Sequence, residues 1–248
     1  MMMDLSNQSK EELVKLVEEL SALEEYKKYH QLEFLFPLAE HKGYGKHMEF
    51  FKAGAKFKER ALIAANRSGK TFSACSEMAW HLTGLYPDWW IGRKFDHPVA
   101  AWSVGKTHET TRDILQKYLL GPRYDMGSGF IPKDSLVRTT TKPGIPDAIQ
   151  DVYIKHYTLG LEDGVSTLSF KSYVQGIEAF MGTQQDLIHL DEEPMVTGLY
   201  SECLTRTMTT QGLIMCTFTP LEGMSEVVLS FLPEGRFPEG GIGEVVNE

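Results

Sequence analysis

The chain has little cysteine: three residues, Cys75, Cys203 and Cys216. An odd number at wide spacing supports neither a disulfide framework nor a zinc site, and a reducing cytosol is its natural home. No apolar run approaches the roughly 18 residues that a membrane helix needs. The start, Met1-Met2-Met3-Asp4, lacks the basic and then apolar regions of a signal peptide. Net positive charge is also missing, the formal net charge being −9. A protein that coats nucleic acid is usually basic, so a continuous positive groove is not expected, although a local basic patch is compatible with this balance. No internal repeat occurs. What is present is 248 residues, 42% hydrophobic and 24% charged. That composition is globular and sufficient for one large domain with an extension.

Ser9 and Glu12 stand at capping-box spacing. Leu13, Leu16, Val17, Leu20 and Leu23 then recur on one face of a helix predicted over 9–29, with Glu11, Glu18, Glu19 and Glu25 elsewhere around it. Such a helix either packs on the surface of the main domain or serves as a docking arm for a neighbouring subunit. After a Gly- and Pro-containing stretch at 37–45, a second helix is predicted over 46–53. A compact alternation follows: strand 61–65, helix 71–82, strand 99–104, and a helix at 107–120 begun by Thr107 and closed by Gly121-Pro122. Strand, helix, strand, helix argues for an α/β fold with a mostly parallel sheet flanked by helices and right-handed crossovers.

The stretch 121–150 holds Gly127, Gly129, Pro132, Pro143, Gly144 and Pro146 and reads as a long loop or inserted excursion. Strands at 152–157 and 167–170 would be joined through the turn Glu162-Asp163-Gly164. The core resumes with strand 187–190, a helix at 200–208, strand 213–218 and a last helix at 224–232. The segment 233–248 reads as a frayed end or linker. The expected division is a helical extension at 1–33, a main α/β domain at 34–233 and a tail or linker at 234–248.

A buried strand ends directly before Ala65, Asn66, Arg67, Ser68, Gly69, Lys70 and Thr71, and a helix starts directly after. That is the setting a phosphate loop needs. Loop N–H groups converge on the phosphates, and the helix N-terminus adds about half a positive charge. Gly69 would let the backbone approach, Lys70 would reach the β- and γ-phosphates, and the Thr71 hydroxyl would join a Mg²⁺ shell. Five positions before Gly69, where the full pattern has glycine, stands Ala64. Arg67 would either stabilise charge on the γ-phosphate in cis or pair with a surface carboxylate.

The run Leu187-Ile188-His189-Leu190-Asp191-Glu192 ends an apolar strand in two carboxylates. Asp191 would hold Mg²⁺, and Glu192 would orient and deprotonate the attacking water. Ligand sites of open α/β sheets lie beyond such strand ends, so the two segments would converge. Glu193 reads as structural or helix-capping, and His189 as an interior histidine. An intervening strand at 99–104, with a glutamate beside the metal-binding aspartate, marks motor-type P-loop ATPases against small-molecule kinases. The segment Thr217-Phe218-Thr219-Pro220 offers hydroxyls to sense the γ-phosphate, or else is a turn punctuated by proline.

With these segments in place, the chain resembles the large terminase subunits of tailed bacteriophages. The supporting residues are Asn66-Arg-Ser-Gly-Lys-Thr71, Phe170-Lys-Ser-Tyr-Val-Gln-Gly176, Leu190-Asp-Glu-Glu-Pro194, Leu204-Thr-Arg-Thr207 and Thr217-Phe-Thr-Pro-Leu-Glu-Gly-Met-Ser225. The resemblance runs from about Phe34 to Leu232. It implies a P-loop ATPase with a RecA- or helicase-like core, Mg·ATP hydrolysis, a ring of identical subunits, double-stranded viral DNA as cargo, and the portal protein and small terminase subunit as partners. It places the protein in the host cytoplasm and transiently at the procapsid portal vertex. It further implies that 66–71 form the Walker A segment, Asp191 and Glu192 the Walker B pair, and Thr217 to Thr219 the motif coupling hydrolysis to movement. In place of an adenine-reading glutamine stands Gly43-Tyr-Gly-Lys-His47, so Tyr44 or His47 would stack on the base. Arg206 and Arg138 are candidates for a trans-acting arginine. Large terminases also carry a C-terminal nuclease; the 28 residues after Pro220 are too few for one, so the chain is expected to be the motor half alone. A helicase-like remodelling ATPase, a small-molecule kinase and a non-catalytic scaffold are the competing readings. The adjacent Asp191-Glu192 pair and the intact Lys70 and Thr71 disfavour the last two.

Overall fold

The computed structural model describes residues 10–194, 196–219 and 225–232. Seven strands form one sheet in the order β1-β7-β6-β2-β5-β4-β3. They are β1 (Glu59–Ile63), β2 (Ala100–Gly105), β3 (Leu136–Thr141), β4 (Ile149–Thr158), β5 (Leu161–Ser172), β6 (Leu187–Asp191) and β7 (Leu213–Phe218). The five strands from β1 to β5 in that order run parallel, and β4 and β3 complete the sheet antiparallel.

β6 and β7 are buried along their whole length, as parallel strands covered on both faces must be. Alternation sends Leu187, Leu213 and Met215 to one apolar core, and Ile188, Leu190, Ile214, Cys216 and Phe218 to the other. The first core is roofed by α3 (Lys70–Thr83), whose Ala74, Cys75, Met78, Ala79, Trp80 and Leu82 are fully buried. The second is covered by α6 (Leu199–Met208) and α7 (Glu226–Phe231). All three cysteines are buried and free.

α3 also carries a charge into the first core. Glu77 is completely buried and accepts two bonds from Arg60 on β1, at 2.7 and 3.1 Å, and a third from His81 at 3.1 Å. Arg60 spends another donor on Phe50 O at 2.7 Å and stacks over the Phe50 ring. Removing one partner strands the other's charge in a dry interior. Glu77→Ala is therefore expected to destabilise the fold by about 3–5 kcal/mol, read by denaturant unfolding. The paired change to Arg60→Met and Glu77→Leu should cost clearly less; equal losses would show that the ion pair is not the source.

Several expectations need correction. The excursion at 121–150 contains the edge strand β3, whose half-exposed Thr-rich pattern lacks an apolar alternation to announce it. β4 and β5 are longer than expected and turn at Leu159-Gly160, both with positive φ (53° and 80°), in place of 162–164. Two left-handed residues match the twist of a tight hairpin. The helix after β2 is continuous but heterogeneous: α4 (His108–Thr110), a π-helical stretch (Thr111–Gln116) and α5 (Lys117–Leu120), with Thr107 as its side-chain cap. The remaining α-helices among the described residues are α1 (Lys10–Tyr29) and α2 (Gly45–Ala53). α1 buries no residue, and Val14, Val17, Leu20 and Leu23 are half-exposed, so the packed surface helix is not what is found. It is tethered at its end, where Lys28 and Tyr29 both bond Asp125. Ser9, residues 220–224 and the segment 233–248 lie outside the described residues. Among the described residues, no helix is long and apolar enough to cross a membrane.

Candidate active site

Register places the candidate residues on one sheet edge. Thr217 of β7 lies opposite Leu62 of β1 on one side and Asp191 of β6 on the other. Val104 of β2 pairs with Leu190, and Gly105 with Ser172 of β5. Because these strands are parallel, their carboxyl ends open together, and the segments beginning at Ala64, Lys106, Tyr173, Glu192 and Thr219 all emerge there.

From β1 the chain passes through a loop to α3. Arg67 (φ 63°) and Gly69 (φ 82°) are both left-handed, and Gly69 caps the helix. The positive φ is what favours glycine at position 69; a β-carbon there would come 3.2 Å from the tip of the His47 ring, which would have to give slightly. Lys70 is buried, and its ammonium donates to Ala64 O at 2.9 Å, Ala65 O at 2.8 Å and Thr219 Oγ1 at 2.9 Å. The Thr219 hydroxyl lies 2.9 Å from both Ala64 O and Asn66 Oδ1. Burial pulls the lysine pKa down, against the opposing charges of Glu192 and Asp191. This is a cation held by three oxygens at the loop between β1 and α3.

Asp191 is 5% exposed. Its Oδ1 accepts from Thr71 Oγ1 at 2.7 Å and from Thr217 Oγ1 at 2.8 Å. The Thr217 hydroxyl has one proton, already given to Asp191, so His189 Nε2–H must donate to Thr217 Oγ1 across their 2.7 Å contact. His189 is neutral, its pKa pushed down by burial to about 3. Its Nδ1 meets no partner among the described residues, so the interior histidine is only half satisfied. Burial raises the pKa of Asp191, against the two hydroxyl bonds and Lys70. A hydroxyl and a carboxylate oxygen this close form the kind of pair that would hold Mg²⁺, an ion that keeps most of its shell in water and phosphate oxygens.

Glu192 is exposed and left-handed (φ 64°), with its N–H donating to Thr217 O at 2.8 Å. Desolvation and then Asp191 raise its carboxyl pKa, while Lys70 and Lys106 oppose. Lys106 was invisible as a site residue in the sequence; its place directly after β2 is the signal that would have found it. Glu193 is buried and caps none of the described helices, and its Oε1 lacks a partner among the described residues.

The other candidates divide. Arg67 is exposed and meets no carboxylate among the described residues. Thr217 lies inside the sheet, engaged with Asp191, whereas Thr219 lies beyond the strand end and reaches Lys70. His47 lies 3.0 Å from Ser68 O and lines a cavity of about 420 Å³ with Gly43, Gly45, Leu62 and Ala64. Tyr44 does not line it; its ring packs edge-on against Phe36. Arg206 is committed to Glu202 at 3.0 Å, and Arg138 stacks over Tyr153 at 3.8 Å on the far antiparallel part of the sheet.

A sequence profile described as terminase large subunit, T4-like-virus type, N-terminal, matches residues 61–240. The large terminase subunit of Salmonella phage P22 is 37% identical over 244 residues, which is 92% of this chain and 48% of that protein. The chain thus spans about half the length of this relative. Among solved structures, the ATPase domain of the Thermus phage P74-26 large terminase superposes with a TM-score of 0.54 at 15% identity, covering 79% of this chain and 72% of that one. A mutant of the same domain gives 0.52 at 14%, over 82% and 72%. At such identities the superpositions establish the shared fold.

Proposed function

The chain belongs to the family of phage terminase large subunits, matching their N-terminal part, and from this premise we propose that it is a Mg²⁺-dependent ATPase motor that drives double-stranded viral DNA into a procapsid. The observation that carries this reading is the 2.7 Å contact between Thr71 and Asp191, which joins the lysine loop to the acidic strand end. Phosphates would enter the loop at 65–71, exchanging for the oxygens that now hold Lys70, while the start of α3 contributes its N–H groups. Thr71 and Asp191 would hold magnesium, which supplies charge neutralisation on the phosphate oxygens. Glu192, exposed at the same edge, orients the attacking water and accepts its proton. His47 and the cavity beside it would take the nucleobase, with Arg67 at the tip of the loop facing the triphosphate.

Thr219 bonds Lys70 from the end of β7. A change at the γ-phosphate would thereby reach the chain beyond β7, which supports coupling of hydrolysis to movement. A ring of such subunits in the host cytoplasm, seated on the portal protein and supplied by the small terminase subunit, is the assembly this reading implies. The direct test is phosphate release from ATP with magnesium and with the metal chelated. Slow, strictly magnesium-dependent turnover is expected, weak in the monomer because part of the ring's active site would come from a neighbouring subunit. Absence of nucleotide binding by calorimetry would reject the reading.

A further inference from the structure

The left-handed turn at Glu192 is held from two sides. Its N–H is taken by Thr217 O on β7. Its carbonyl oxygen accepts from the Tyr173 hydroxyl at 2.9 Å, and the same hydroxyl lies 3.1 Å from Asp191 O. An L-residue rarely adopts this conformation, which its Cβ disfavours, so the turn persists because its surroundings impose it.

Tyr173 is well placed to impose it. The residue follows β5 directly and is 5% exposed, its ring packed in the second core beside Val104, Leu190 and Phe218. Its backbone is fixed by a short turn in which Ser172 N–H donates to Gln175 Oε1 at 2.9 Å. Ring and backbone are locked, and one hydroxyl reaches out of the core to the two carbonyls flanking the candidate catalytic carboxylate.

We propose that Tyr173 is a positioning residue for ATP hydrolysis, its hydroxyl holding the Asp191–Glu192 backbone in the left-handed turn that presents the Glu192 carboxylate at the phosphate edge. This rests on the reading of Glu192 as the general base. Without the hydroxyl, the Glu192 peptide is anchored only at its N–H and can relax towards a right-handed or extended conformation, turning the carboxylate away. Asp191 keeps its bonds to Thr71 and Thr217, so nucleotide and metal binding are preserved.

The test is Tyr173→Phe, which retains the packed ring. Turnover of ATP is expected to fall about tenfold, since misplacing a reacting group by about 1 Å costs up to about a hundredfold. ATP affinity by calorimetry should stay within twofold, and a solved structure of the variant should show Glu192 leaving positive φ. A fall in turnover below fivefold would overturn the proposal. So would a parallel loss of ATP affinity, which would mark a general structural role. Glu192→Gln, measured alongside, separates the two readings. If that variant still turns over, the assignment of the base fails; if it is inactive while Tyr173→Phe keeps its rate, only the present inference fails.

Discussion

Glu192→Gln is expected to abolish ATP turnover, by a factor of about 10²–10⁴, while ATP still binds. The amide is nearly isosteric with the carboxylate but cannot accept a proton from water. The residue stands just outside the buried cluster: Asp191 is engaged by two threonine hydroxyls, whereas Glu192 is exposed at the same strand end. Its raised carboxyl pKa, caused by desolvation and by Asp191, makes it a better proton acceptor than a free glutamate. Because the carboxylate makes no bond within the loop, binding should be spared. Steady-state phosphate release and calorimetry on the same preparation check both halves. Retained hydrolysis would remove Glu192 from the role of base, and lost binding would mean that it helps to hold the nucleotide.

Lys70→Ala should show the complementary pattern. The ammonium is the one described cation whose contacts are all to the rim of the loop, Ala64 O, Ala65 O and Thr219 Oγ1. A charge-assisted bond is worth about 1.5–3 kcal/mol, so ATP affinity is expected to fall about tenfold to a hundredfold, with turnover lost as well. The fold should survive, because the three oxygens released at the sheet edge can turn to water. Calorimetric titration with ATP measures the loss; an unchanged dissociation constant would show that the phosphates bind elsewhere. Together the two variants separate binding from chemistry at one edge of the sheet.

Much of this edge was legible in the sequence. The segment 187–191 has no polar–apolar alternation because both of its faces are buried, and a run of that kind ending in two carboxylates reads directly as a strand end with chemistry. The Gly69-Lys70-Thr71 triplet needed only a strand before it and a helix after it, and both are local patterns. Thr107 at the start of its helix was likewise readable, since a threonine hydroxyl just before a helix can accept from its first free N–H groups. β3 was not readable. It is an edge strand of half-exposed threonines, held by pairing with β4 more than by burial of its own side chains. The hairpin turn was misplaced because Leu159 is an unusual residue at positive φ, whereas Asp163-Gly164 has turn chemistry that the extended β5 overrides.

The sequence by itself determined which segments carry charge and which are buried: the lysine loop, the acidic strand end and the alternation that builds a parallel sheet between them. These follow from short-range rules of backbone geometry and solvation, which act over a few residues. Tertiary structure decided the partnerships. Register set Thr217 between Leu62 and Asp191, brought Thr71 to a carboxylate 120 positions away, and turned Tyr173 onto the backbone of Glu192. No local pattern encodes such contacts, because they depend on the order in which strands lie side by side, and that order is chosen by the packing of two cores across the whole sheet.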